Sequence, residues 1–352
     1  MKTNKITAMT SKHNSKPLFV IYKTDLGSTS LGVLLEENLK TDFNFFYFDE
    51  VDLKTNQNKF IYTINYLKKI AELRHQVKKT SNQGHKIVFQ NLKPALFSFG
   101  LWNSTNGIVI SDFSHSLFEW CKKKTYKKDK RFYSQRILYQ KLYKILTFTD
   151  NLKGNLQDVY GVSRDKLFSV PIPLDFENYY QVPQEVGTIP KVLFVGGEFY
   201  RKGGNHILNA WDSKLKGKCE LTILTNSEIE EKEGIKVFNS VSKGTQEHIS
   251  IFQSSDIFIL PTDRDAYPIV LGEAAVSSLA IITTQYAFGA QNIILDGESG
   301  FISETAEDCI EHLITLLDNP GMIINFKRNT HDYIQKHFSR EVFRDTILQA
   351  IQ

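Results

Sequence analysis

The stretch KVLFVGGEFYRKGGNHILNAWDSKL, residues 191–215, decides the fold. KVLFVGG (191–197) is an apolar, β-branched run that ends in glycines, and NHILNAWDSKL (205–215) has apolar residues at helical spacing. A strand, a short glycine-rich loop and a helix form the opening unit of a parallel α/β layer. The pattern repeats downstream. CELTILT, IKVFN, DIFILP, AIITT and GFIS read as strands with helices between them. TAEDCIEHLITLLDN has Thr305 as a helix N-cap, and SREVFRDTILQAI is an amphipathic helix capped by Ser339. Upstream, PLFVIYK (17–23), FNFFYF, HKIVFQ, NGIVIS, the run LYKILTFTD and KLFSVPIP form a second such series. After its first strand comes a loop with Gly27, Ser28 and Gly32, a candidate cleft loop. Pro171, Pro173 and Pro183, with the polar run DFENYYQVPQEVGT, mark a linker near 174–189.

The expected layout is therefore a polar tail over 1–16, a first α/β domain over 17–175 and a second over 190–330. Helices over 331–352 would pack back toward the first domain. With 352 residues, 41% hydrophobic and 23% charged, the composition suits two medium globular domains. A net charge of +4 permits anionic partners without requiring nucleic acid, for which no recognition module is evident. No apolar run reaches the ~18–20 residues that span a bilayer, and the N-terminus has no apolar signal core. Cys121, Cys219 and Cys309 fit no zinc or redox spacing, so reduced thiols in a cytoplasmic protein are expected.

Two loops carry the chemistry. GGEFYRKGGN (196–205) sits where α/β folds bind phosphate, although it is neither G-x-G-x-x-G nor a P-loop. Gly196 and Gly197 allow close approach, and Arg201 and Lys202 could neutralise a pyrophosphate; the bland alternative is a solvated basic turn. DRDAYPIVLGE (263–273) holds three carboxylates around a proline. The spacing allows a metal-binding D-x-D pair, an acid/base pair or a clamp for an anionic ligand. Pro268 at the first helical position would direct the amides of Ile269, Val270 and Leu271, and the positive end of the helix dipole, toward the cleft. Asp265 precedes that terminus and Glu273 lies about five residues, roughly 8 Å, into the helix. Hydroxyl acceptors on either side of an anion site suit a nucleotide-sugar.

FVGGEFYRKGG, taken with DAYPIVLGEAAVSSLAIITT and GESGFI, resembles the C-terminal half of glycosyltransferase family 4. These are retaining enzymes of the GT-B fold, two Rossmann-like domains facing each other across a cleft. The family's E-x7-E motif matches Asp265 through Glu273, with Asp in place of the first Glu. The resemblance implies Glu273 on the donor ribose, Asp265 beside the transferred sugar and Lys202 on the phosphates. The family's usual arginine is Gly197 here, for which Arg201 would compensate. SDFSHSL (111–117) falls where the family has a residue facing the donor sugar, which makes Asp112 and His115 candidates. A cap role for Asp112 and simple exposure for His115 are the plain alternatives. The family's small-Gly-x-Pro reads Ser278-Leu279-Ala280, and its following Glu is Asn292. The first departure predicts a packing change; the second, with Asp265, predicts altered donor choice or lower activity.

The resemblance implies transfer of a hexose from a UDP- or GDP-sugar to a glycan or lipid-linked acceptor, of the cell-surface polysaccharide type. Arg201, Lys202 and the helix terminus would balance the diphosphate without a metal, leaving Asp263 as a solvated loop residue and no cofactor required. CKKKTYKKDKRFYSQR (121–136) places cations beside Trp120, Tyr126, Phe132 and Tyr133. It is either a solvated surface or a contact with the anionic inner face of a membrane. A non-catalytic nucleotide-sugar or glycan-binding subunit, partner to an active transferase, is the rival reading.

Overall fold

The computed structural model describes residues 16–24, 26–50 and 59–352; the tail read over 1–16 lies outside the described residues up to position 15. Two six-stranded, all-parallel sheets organise the chain. The first contains β1 (Leu18–Lys23), β2 (Asn44–Asp49), β3 (Ile87–Gln90), β4 (Gly107–Ser111), β5 (Lys144–Thr147) and β6 (Leu167–Ser169), in the order β2-β1-β3-β4-β5-β6. The second contains β7 (Lys191–Val195), β8 (Glu220–Leu224), β9 (Ile235–Phe238), β10 (Ile257–Leu260), β11 (Ala280–Thr284) and β12 (Gly300–Ser303), in the order β12-β11-β10-β7-β8-β9. Save that β2 extends one residue past FNFFYF to Asp49, each strand falls inside a run read from the sequence, because near-continuous β-branched and aromatic residues suit strands covered on both faces.

The strand orders locate the clefts. In the second sheet the chain runs outward from β7 through β8 to β9, then crosses to β10 on the other side of β7. The switch point of such a sheet opens a crevice at the carboxyl ends of the two diverging strands. Here those ends carry residues 196–203 and 261–268, the two loops singled out from the sequence. In the first sheet the switch lies between β1 and β3.

Alternating residues divide the first sheet's burial. Val20, Phe89, Val109 and Ile145 face helices Lys59–Asn82, Leu92–Phe97 and Lys130–Lys141. Phe19, Val88, Ile108 and Leu146 join a core that runs on into the second sheet. The two halves are also joined directly. Phe118 stacks on Phe288 with ring centroids 5.1 Å apart, and Asn292 Nδ2 donates to the Phe148 carbonyl at 2.6 Å. A Cβ on Gly272 would meet Leu174 at 2.6 Å, so helix Ile269–Val276 lies hard against the chain leaving β6. The last helix, Arg340–Ile351, packs on helix Leu26–Leu39 of the first half. Its Arg344 makes a two-pronged ion pair with Asp42, at 2.6 and 2.7 Å.

Helix Leu26–Leu39 begins soon after β1 ends at Lys23, so Gly27 and Ser28, read from the sequence as loop residues, occupy its first turn. Ser28 is tied down there: its Oγ accepts from the Thr24 amide at 2.9 Å, and its carbonyl accepts from Gln90 Nε2 at 2.9 Å. Helix Lys59–Asn82 carries a weakly patterned polar sequence, whereas Pro320–His337 buries Ile323, Phe326, Thr330 and Ile334 at helical spacing. Thr305 and Ser339 cap their helices, Thr305 in a reciprocal box with Asp308.

Candidate functional site

The loop after β7 is held against the loop after β10 by glycines and one arginine. Gly203 has φ +83°, and a Cβ there would meet the Pro261 carbonyl oxygen at 2.0 Å. A Cβ on Gly196 would press on the Lys202 stem at 2.8 Å. Gly203 thus brings loop to loop, Gly196 lets the Lys202 stem fold back over its own loop, and a Cβ on Gly197 would meet Asn226 Nδ2 at 3.2 Å. Arg201 forks onto Glu198 at 2.8 and 2.9 Å and donates its third N–H to the Arg264 carbonyl at 3.0 Å. The hydrogen bonds to Glu198 hold the Arg201 pKa above its ordinary range and that of Glu198 below its own. Arg201 thus staples the crevice walls together, and Lys202 is the loop's cation inside them.

Lys202 Nζ is paired with Asp265 Oδ2, and both side chains are largely buried, 15% and 14% exposed. The Asp265 backbone fixes the next loop, its amide donating to Tyr286 O at 2.9 Å and its carbonyl accepting from Phe288 at 3.0 Å. Asp263 does not join this pair. It lines a neighbouring cavity of about 410 Å³ with Tyr200, Arg201, Asn205 and Tyr286. The two aspartates of D-x-D therefore diverge. Among the described residues no group of three or more His, Cys, Asp or Glu is placed to hold a metal ion.

Pro268 is the N-cap of helix Ile269–Val276, one position earlier than read from the sequence. Its carbonyl accepts from the Leu271 amide at 3.0 Å, so Leu271 is spent inside the turn. Among the described residues no acceptor is recorded for the Ile269 and Val270 amides, which remain at the positive end of the helix. One turn on, Glu273 is 6% exposed. Lys243 Nζ stands 2.6 Å from its Oε1, an ion pair that holds the buried carboxylate. Beneath it Tyr179 OH and His248 Nδ1 share a 2.9 Å hydrogen bond. Burial, then the nearby Glu273 charge, raises the Tyr179 pKa; burial lowers that of His248. Lys243 escaped sequence reading because a lone lysine in a polar loop, SVSKGT, carries no spacing signal.

The first half contributes less to this crevice. His115 Nε2 lies 3.1 Å from Asp129 Oδ2, and its amide donates to Gln135 at 3.1 Å. Asp129 itself caps helix Lys130–Lys141. His115 therefore rests against Asp129 and Gln135 of its own domain. Asp112 follows β4 and is half-buried; Ser116, not Asp112, is the cap of helix Leu117–Lys123. Of the family departures, Asn292 bridges the halves through Phe148. Ser278 sits at φ +58° with its Oγ 2.5 Å from Gln181 O and 3.0 Å from His331 Nδ1.

Two parallel sheets with a crevice at the second sheet's switch point, walled by a lysine loop and a helix terminus, define the GT-B class of α/β proteins. Residues 189–319 match the model of the family described as glycosyl transferases group 1, and the fold of the chain is of the GT-B type. An uncharacterized glycosyltransferase of Haemophilus influenzae is 26% identical over 144 residues, covering 38% of this chain and 41% of that relative. HepE of Anabaena, solved with UDP-glucose, superposes with a TM-score of 0.71 at 11% identity, over 96% of this chain and 99% of that one. Sucrose-phosphate synthase of Thermosynechococcus elongatus gives 0.69 at 12% identity, over 95% and 98% of the two chains. WaaG, a glycosyltransferase involved in lipopolysaccharide biosynthesis, gives 0.64 at 15%, over 95% and 98%. At such identities these structures speak for the fold alone.

Proposed function

We propose that this chain is a metal-independent, retaining glycosyltransferase that moves a hexose from a UDP- or GDP-sugar to a glycan or lipid-linked acceptor. The observation that carries the reading is the grouping around one helix terminus: the Ile269 and Val270 amides, the Lys202–Asp265 pair before it and the buried Glu273 carboxylate, paired with Lys243, after it. A diphosphate at the terminus is balanced by those amides and Lys202, and the ribose hydroxyls donate to the Glu273 carboxylate beside Lys243. Asp265 is then released toward the sugar. Arg201 acts by holding the two loops in register. The C1–O bond breaks with its electron pair leaving on the diphosphate. The acceptor hydroxyl bonds C1 on the same face, and its proton passes to the departing phosphate oxygen. The match over 189–319 supports the reaction class, and the UDP-glucose held by HepE supports a uridine donor.

The test is release of nucleoside diphosphate by the purified chain from a panel of UDP- and GDP-sugars, with and without excess EDTA. Turnover that persists in chelator supports the proposal. Turnover abolished by EDTA and restored by manganese or magnesium refutes metal independence, and binding without turnover of any donor favours a non-catalytic subunit.

A further inference from the structure

The outer helical layer of the first sheet carries a second surface that the donor crevice does not use. Helices Lys59–Asn82, Leu92–Phe97 and Lys130–Lys141 lie side by side on one strand face. Arg74 of the first donates to the Phe97 carbonyl of the second at 2.8 Å. Their inward sides are spent on the core through Leu73, Val77, Ala95, Phe132 and Leu138, all at most 2% exposed. The outward sides keep large apolar groups in water: Leu67 is 59% exposed, Ile137 58%, Tyr133 50% and Leu96 47%, with Phe99 just beyond at 43%. Scattered single exposures need no explanation, but one helical layer presenting these four, with Phe99 at its edge, does.

The charge on the layer is as uneven. The three helices carry six, one and four Lys and Arg, against Glu72 as their only acid, in a chain whose net charge is +4. Lys93 is paired with Glu50 and Lys69 with Glu72, while Lys68, Lys78, Lys130, Arg131, Arg136 and Lys141 stay exposed. The aromatics that accompany the basic run 121–136 divide accordingly. Phe132 is buried, Tyr126 is stacked on it and only Tyr133 faces out. The surface therefore extends across the layer and is not confined to that run.

We infer that this helical layer docks on an anionic lipid bilayer, with Leu67, Leu96, Tyr133 and Ile137 entering the headgroup region and the surrounding Lys and Arg on lipid phosphates. Aliphatic side chains interleaved with cations suit a bilayer interface better than a polyanion in water, which offers the aliphatics nothing. Attachment is peripheral, since no helix among the described residues is long and apolar enough to cross a membrane. The inference is independent of the donor assignment, and it fits a transferase whose acceptor is lipid-linked.

The test is flotation of the full chain with phosphatidylglycerol/phosphatidylcholine vesicles and with pure phosphatidylcholine vesicles. The same is done for Leu67→Asp/Ile137→Asp and for Lys130→Ser/Arg136→Ser/Lys141→Ser. All three proteins are checked for unchanged melting and donor turnover. Binding to the anionic vesicles is expected, with none to the neutral ones. The apolar double variant should lose at least about tenfold, and the charge variant more, at about fivefold per cation. No flotation with anionic vesicles overturns the inference. So does an apolar variant that floats like wild type, which would leave a salt-sensitive polyelectrolyte contact only.

Discussion

Replacing Lys202 with alanine has two separable consequences. The first is structural. Asp265, 14% exposed, loses its ion-pair partner. Removing one member of a fully buried pair costs about 3–5 kcal/mol, so this less buried one should lose about 1–3 kcal/mol, a few degrees of melting temperature. The second concerns turnover. A lysine about 4 Å from a phosphate oxygen in surroundings of effective dielectric about 20 contributes about 4 kcal/mol. The free protein already gives Lys202 a carboxylate, so binding the donor exchanges one anion for another, and the net gain falls to about 2–3 kcal/mol. At about 1.4 kcal/mol per decade, kcat/KM for diphosphate release should drop about 30- to 150-fold. Lys202→Arg keeps the charge in a longer, planar group and should recover part of the loss. Continuous detection of released nucleoside diphosphate over a range of donor concentrations, beside melting curves, separates the two effects. Lys202→Ala within threefold of wild type and with unchanged melting would refute the assignment of Lys202 to the phosphates. So would equal rates for the Ala and Arg variants.

Three further outcomes concern stability. Ser278→Gly relieves about 1 kcal/mol of left-handed backbone strain but removes two buried hydrogen-bonding contacts worth about 0.5–1.5 kcal/mol each. The melting temperature should fall slightly; a rise would show that backbone strain outweighs the hydroxyl. Lys327, 2% exposed, pairs with Asp256 at 2.8 Å, and Lys327→Met should cost about 3–5 kcal/mol in denaturant unfolding because it strands the Asp256 charge; a loss under about 1 kcal/mol contradicts this. Burial lowers the His248 pKa, so below about pH 6.5 the unfolded chain takes up a proton that the folded one resists. Stability should decline as pH falls from about 7 toward 5, and His248→Phe should shrink that decline; identical pH dependence in both proteins would rule it out.

The twelve strands were legible because parallel strands buried on both faces read as unbroken β-branched runs, and punctuation by glycine and proline set their limits. The order of the strands was not written in those runs, yet it is what brings residues 196–203 and 261–268 to one crevice. At the site, Lys202, Asp265 and Glu273 were found from loop and helix-start chemistry, and the structure joins the first two. Two pairings depend on tertiary contact and stayed out of sight: His115 turns to Asp129, and Lys243 reaches Glu273 from a loop 30 positions earlier in the chain. Arg201 turns to Glu198 within its own loop, a choice of partner that spacing alone does not fix. The apolar exposure of helix Lys59–Asn82 was equally hidden, since a mixed polar helix shows which side it buries only when the sheet beneath it is in place.

The account stands or falls on whether the crevice between the loops after β7 and β10 takes a nucleoside diphosphate. The most direct measurement is the melting temperature of the full chain titrated with UDP and GDP, beside Glu273→Ala. Ligand at about a hundred times its Kd adds about 2.7 kcal/mol to the folded state. One of the two nucleotides should therefore raise the melting temperature by several degrees in the wild type, and by much less in Glu273→Ala. No shift with either nucleotide, or an equal shift in both proteins, would contradict the assignment.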